Sequence, residues 1–418
     1  MDRRTFLTAA GTGAAALSLG ALTAPQAVAA PAGPADEAQL LAWFRDTYRS
    51  IEAMTTGFGL TADKINVSRS SPVVSRQTSP TNIGCGLWSA VAAAGLGVTS
   101  GAAMLRTLER TVSAVEKLER HHGFWLNWYD AHDGSVLTEW PGTGEPTAHH
   151  YGALNTEPRM ASYLGIADGS LPSEHYWHLL RTMLPEHEQE QRPQGAYAVS
   201  DGVRVWQGHY THGGRKIVPT WGGSMFEALM VPLFVPEPEW SPRSWGLNHR
   251  RYVRSQIEHG LREAEYGYWG FSPANVPDGG YQEYGVDALG MQVDGYASNT
   301  DRTYTTDGAP LPDPSAFTHG VVTPHASFLA LPYARGEALA NLRALERDFG
   351  AYHEGYGFRD SVDVGTGRVS DFVLALDQGM ITAALAQALR PGLLQRPFRT
   401  GGFRSRVRPL LAAERFSI

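Results

Sequence analysis

Cysteine is almost missing from this chain. Cys85 stands alone among 418 residues, which excludes an intrachain disulfide and a cysteine-built metal cluster. It sits in the apolar run Ile83–Val91 and reads as a small buried side chain. Phosphate-cradling motifs are missing as well. Thr211-His212-Gly213-Gly214 has no strand-and-helix context that would make it a nucleotide loop. The pair His121-His122 and the trio His149, His150 and His209 lack the i,i+4 spacing, with a nearby acid, of a metal site. Neither a metal nor another cofactor is therefore expected. There is no basic block either: the net charge is −7, and the arginines from Arg390 to Arg408 are spread among Pro, Gly and Leu. That tail reads as a solvated surface extension, and nucleic acid is not an expected partner.

Long hydrophobic runs are scarce. The stretch from Thr8 to Leu22 is weakly apolar, rich in Ala and Gly, and too short to span a bilayer well. It follows Asp2-Arg3-Arg4-Thr5-Phe6-Leu7 and precedes Ala27-Val28-Ala29-Ala30. A twin-arginine n-region, an h-region and a small-residue cleavage site make residues 1–30 an export signal. The expectation is a folded protein delivered to the extracellular or cell-wall space, with no membrane anchor after cleavage.

What is abundant is aromatic: eleven tryptophans and seventeen tyrosines. Aromatic faces stack on the C–H faces of sugars while polar groups take the hydroxyls. An oligo- or polysaccharide therefore suits the composition. Helical periodicity dominates the body. It predicts helices over Asp36–Met54, Asn82–Leu96, Ser100–Glu119, Thr156–Gly165, Ser173–Met183, Ser224–Leu233, Asn248–Glu265, Pro324–Leu331, Gly336–Phe349 and Leu376–Leu389. Strand-like alternation is rare and short, as at Gln194–Trp206. Between the helices lie the long aromatic stretches Gly123–Ala153, Gly267–Gly320 and Tyr352–Asp371, of a length that is usually functional. No linker divides residues 36–390, so one helical domain with its loops gathered round a cleft is the simplest packing, followed by residues 391–418.

One segment carries more chemistry than the rest: Pro219-Thr220-Trp221-Gly222-Gly223-Ser224-Met225-Phe226-Glu227-Ala228-Leu229-Met230. Two readings of Glu227 are open. In the first, Ser224 is an N-cap and Glu227 the reciprocal acid of a capping box. In the second, apolar neighbours raise its pKa and make it a catalytic acid.

Seven pieces in order resemble the glucoamylase-like glycoside hydrolase superfamily, which includes bacterial endo-β-1,2-glucanases and a region of cyclic β-1,2-glucan synthases. They are Thr78–Gly84, Gly123–Asp130, Trp221–Glu227, Tyr268–Ser272, Gly320–Ser327, Tyr356–Ser361 and Leu376–Met380. The resemblance implies an all-α fold, an (α/α)6 barrel with its cleft at one end, and hydrolysis by inversion. It departs in two places. Pro273-Ala274-Asn275 stands where an aspartate is common, and Asn155-Thr156-Glu157-Pro158-Arg159 where an Asp-Thr/Asn pair is common. Both bear on the substrate and on which carboxyl is the acid.

Inversion needs one protonated carboxyl and one ionised carboxylate on opposite faces of the sugar. The resemblance implies Glu227 as acid and Asp377 as base or sugar-hydroxyl acceptor, although Asp377 also reads as an N-cap. Glu157 is the alternative catalytic carboxylate, or a dipole-complementing acid beside Arg159. Asp130, Glu283, Asp287, Asp360 and Gln378 are candidate hydroxyl-binding groups. The acids among them can equally be turn or ion-pair residues. Trp125, Trp128, Trp221, Trp269 and Tyr284 are stacking platforms or core. His325, at a helix start, reads as a hydrogen-bonded structural histidine or a substrate contact. The leading expectation is a secreted hydrolase of a β-linked glucan, β-1,2-glucan first. The alternatives are a glycan-binding protein on the same barrel, or a polysaccharide lyase, whose need for a cationic cleft the acidic balance opposes.

Overall fold

The computed structural model describes residues 33–138, 152–187, 189, 191–291 and 320–418. The expected export signal and the pair His149 and His150 lie outside them. Described helices are α1 (Pro34–Met54), α2 (Pro80–Gly95), α3 (Gly101–Val115), α4 (Arg159–Asp168), α5 (His175–His178), α6 (Met225–Leu229), α7 (Glu237–Trp240), α8 (Trp245–Glu258), α9 (Pro324–Ala330), α10 (Arg335–Phe349), α11 (Ala375–Leu389) and α12 (Arg408–Ala413). None is long and apolar enough to cross a membrane.

Local chemistry sets many of these ends. Ser79 caps α2, its side chain accepting from the Asn82 amide with Pro80 in the first turn. Ser100 caps α3 in the same way through the Ala103 amide. Gly169 (φ 91°) and Gly350 (φ 64°) close α4 and α10 in the left-handed region. Helix α11 is apolar almost all round, as a central helix must be. It packs against α1, α2 and α9, while α6 packs on α8 and α9. Trp43 of α1 lies at the middle of the core, 5.6 Å from the ring of Phe328 and 5.3 Å from that of Phe358.

Three expectations need correction, the third of them in the C-terminal tail. The helix predicted over Ser173–Met183 shrinks to α5, because Leu180 leaves it to exchange backbone hydrogen bonds with Gly152 and Leu154. The weak alternation at Gln194–Trp206 belongs to a larger three-stranded antiparallel sheet, Gln194–Ser200, Val203–His212 and Arg215–Ile217. The helix-rich body thus carries more strand than periodicity suggested, in seven small sheets among the described residues.

These sheets pin the loops. Val321–Val322 pairs with Val362–Asp363, Lys64–Asn66 with Phe372–Leu374, and Ala274–Asn275 with Tyr281–Gln282. The starts of α9 and α11 are thereby held beside the segment that carries Asp360. The tail is packed, not solvated: Val407, Leu411 and Glu414 are fully buried. Glu414 bonds Arg181 at 2.6 Å and Tyr176 at 2.8 Å.

Candidate active site

The segment before α6 is shaped by its glycines and one carboxylate. Gly223 has φ 74°, and a Cβ there would lie 2.1 Å from the Val286 carbonyl oxygen. Only glycine fits both restrictions. The turn aims successive amides at Glu227. The Trp221 amide donates to Oε1 at 3.0 Å and the Gly222 amide to Oε2 at 3.0 Å. The Ser224 amide and hydroxyl donate to Oε2 at 3.3 and 2.8 Å. The capping box is complete, with Ser224 Oγ accepting from the Glu227 amide.

The carboxyl is also buried, at 8% exposure. Burial, then the negative charge of Glu157, pushes its pKa up to about 7, against the pull of the Ser224 and Gly222 hydrogen bonds. The cap and the raised pKa therefore belong to the same side chain.

Glu157 precedes α4, and Pro158 and Arg159 start that helix after the loop. The Thr156 hydroxyl donates to its Oε2 at 2.7 Å. Desolvation raises the Glu157 pKa despite that bond. Glu157 and Glu227 line one cavity of about 180 Å³ together with Trp221, Tyr281, Glu283 and Tyr284. Pro273 completes one wall.

Asp377 belongs to a second acidic cluster. It lies in the first turn of α11 without capping it. Its Oδ1 is 3.2 Å from His325 Nδ1. Burial is the main cause that pushes Asp377 up to about 7, while a hydrogen bond with Asp360 opposes the rise. Asp360 is held well above its ordinary value by burial and by Asp377. Its Oδ2 accepts from the Asn275 amide at 2.5 Å. Asn275 in turn accepts from Lys64 Nζ at 3.1 Å, so this departure from the resemblance is built into the acidic cluster. Tyr281 lines the Glu157–Glu227 cavity while 55% of the residue stays exposed. Burial of its hydroxyl end, then the charges of Asp377, Asp360 and Glu283, raise its pKa.

The other candidates scatter. Asp130 pairs with Arg76 at 2.5 Å and caps the turn at His132. Trp269 is core, 1% exposed. Gln378 is buried and donates to the Phe358 carbonyl at 2.9 Å. Asp287 is buried in the 3-10 turn Asp287–Leu289. Trp125 is exposed on a hairpin with the Arg120 guanidinium 4.8 Å from its ring, and Trp128 is half-buried nearby in sequence. Tyr281 and Pro273 were not among the expected site residues. Gly279 and Gly280, both at positive φ, are the hairpin signal that returns Tyr281 beside Ala274 and Asn275.

Comparison with known proteins follows the same lines. A family model described as "Putative glucoamylase" (Glycoamylase) matches residues 193–401, half of the chain. A cyclic beta-(1,2)-glucan synthase of Rhizobium meliloti (strain 1021) is 31% identical over 265 residues, 59% of this chain. The match spans only 7% of that synthase's length. A solved putative glucoamylase from Bacteroides fragilis superposes with TM-score 0.63 at 17% identity, covering 90% of this chain and 96% of its own. The endo-beta-1,2-glucanase of Chitinophaga pinensis, solved with sophorotriose and glucose, gives TM-score 0.59 at 14% identity over 91% of this chain and 98% of its own. At these identities the two structures speak to the fold.

Proposed function

The chain belongs to the Glycoamylase family, and from that premise we propose that it hydrolyses a β-linked glucan at the Glu157–Glu227 cavity. One observation carries the reading. Two carboxyls, both raised above the ordinary range, share a small cavity with four aromatic residues. Burial and the negative charge of Glu157 together favour the protonated form of Glu227, which is the form a general acid needs.

In this reading Glu227 gives the proton to the leaving oxygen, and the amides of Trp221 and Gly222 fix the carboxyl's orientation. Glu157, ionised once Glu227 is protonated, activates water. Trp221, Tyr281 and Tyr284 offer faces to the sugar and Glu283 accepts a hydroxyl. Asp377, with Asp360 and His325, forms the adjoining polar wall. We place this site at one end of an (α/α)6 barrel, a closure supported by the central position of α11. The Rhizobium synthase match and the Chitinophaga glucanase both favour β-1,2-glucan as the first substrate. Inversion is part of the proposal. Proton NMR of the first anomer formed decides it. Export through the twin-arginine route is a further part, tested by fractionating cells that carry Arg3→Lys and Arg4→Lys.

The direct test incubates the purified protein with β-1,2-glucan and a panel of other glycans. New reducing ends are expected, and their absence from every glycan sinks the proposal. Glu227→Gln is expected to lower kcat by about 10²–10⁴-fold, the usual share of a general acid, with an unchanged circular dichroism spectrum. The departure at Asn275 favours no second reading, because Lys64 and Asp360 give that side chain and backbone a structural role.

A further inference from the structure

The two carboxyls come from segments 70 residues apart in the chain, and one buried guanidinium bonds the backbone of both segments. Arg159 is 1% exposed and uses every N–H it has. Nε and Nη2 donate to the two oxygens of Glu237 at 2.9 and 3.1 Å. Nη2 also donates to the Ala228 carbonyl at 2.9 Å. Nη1 donates to the Thr156 carbonyl at 2.9 Å and to the Glu227 carbonyl at 3.0 Å. One nitrogen therefore joins the backbone of Glu227 to that of Thr156, whose hydroxyl orients Glu157.

We propose that Arg159 is a positioning residue that sets the separation of Glu157 and Glu227; this rests on the reading of those two as the reacting pair. Glu237 is its anchor. Its oxygens also accept from Tyr163 at 2.9 Å and lie 2.9 Å from His249 Nε2, and the guanidinium lies 4.8 Å from the Trp245 ring. With its fork locked from behind, Arg159 presents its remaining donors in a fixed geometry, which an ammonium cannot reproduce. The Glu227 and Ala228 carbonyls are free ends of the short α6, so the same bonds also close that helix. A purely structural brace of this kind changes stability alone. A positioning brace changes turnover in the protein that remains folded.

The molecule contains a matched control. Arg181 and Glu414 form a second fully buried ion pair, with Tyr176 as hydroxyl donor, and neither lines the cavity. Arg159→Lys, Glu237→Gln and Arg181→Lys are compared per folded molecule on the best glucan. Arg159→Lys is expected to lower kcat about 10–100-fold with KM within about threefold, the cost of a misplacement near 1 Å. Glu237→Gln follows in the same direction, and Arg181→Lys lowers Tm while leaving kcat within about twofold. A kcat within about twofold for Arg159→Lys, or equal losses for Arg159→Lys and Arg181→Lys, overturns the proposal. Should Arg159→Lys not fold, Glu237→Gln is read by the same criterion. ¹³C NMR titration of labelled glutamates separates this failure from that of the functional reading. If the unaltered protein cleaves no glycan, the hydrolase proposal falls. Positioning is then judged by whether the joint titration of Glu157 and Glu227 changes in the Arg159 or Glu237 variant and not in the Arg181 one. An unchanged titration overturns it.

Discussion

Glu227 shows how one side chain can satisfy a local and a tertiary demand together. Its carboxyl completes a helix cap, which favours the charged form, and lies buried beside Glu157, which favours the neutral one. The balance settles at about 7. Three expectations follow at this scale. Removing the neighbouring charge with Glu157→Gln lowers the Glu227 pKa, so its ¹³C titration moves to lower pH; a rise or no movement refutes the coupling. A hydrolase that needs the Glu227 proton loses activity as pH climbs through about 7, read as the basic limb of kcat. Gly223→Ala forces a side chain against the Val286 carbonyl at positive φ. It is expected to cost roughly 1–3 kcal/mol or more, visible as a lower Tm, and to displace the amides that hold Glu227.

Elements with caps and an apolar stripe were legible in the sequence. The Ser79-Pro80 and Ser100 starts, and the glycine ends of α4 and α10, are written in neighbouring residues. Ser79→Ala is expected to destabilise by about 1 kcal/mol, the usual worth of an N-cap, measurable by urea unfolding. The predicted Asn248–Glu265 helix starts earlier, at Trp245, and after Glu258 changes to a π-helical turn, His259–Glu263. There Glu263 meets His259 at i,i+4 spacing and His212 from the strand Val203–His212, and no local pattern encodes the second contact. The larger hairpin could have been found. Asp201-Gly202, both at positive φ, is a strong two-residue turn signal, and Gly213-Gly214 repeats it. Alternation alone hid it because nearly all of Gln194–Ser200 is exposed on both faces.

Over the whole molecule, buried charge gives stability a predictable pH profile. Glu237 is buried and Glu263 half-buried, yet both are lowered to about 2, by Arg159 and by histidine partners. A lowered carboxylate contributes stability that is present above its unfolded pKa, near 4.3–4.5, and is lost as pH falls towards 2. The site carboxyls run the other way. Glu227 and Asp377 are raised to about 7, so the stability they contribute is full below their unfolded pKa and is lost as pH rises from there through 7. Taken with Glu237 and Glu263, they make Tm peak at about pH 4.5 and fall towards pH 7. A Tm that climbs steadily from pH 4 to 8 contradicts this.

The helix-rich class, the principal helix starts and the candidates Glu227, Glu157 and Asp377 were readable from sequence, because periodicity, caps and motif order are properties of neighbouring residues. Tertiary structure alone decided which acids meet. It joined Glu157 to Glu227 in one cavity and set Asp377 beside Asp360 and His325. It also packed the apolar residues of the tail and Glu414 into the body while leaving most of the tail's arginines exposed. The physical reason is range. A cap acts within one turn, whereas a buried guanidinium and a desolvated carboxyl depend on groups that only packing brings within a few ångströms.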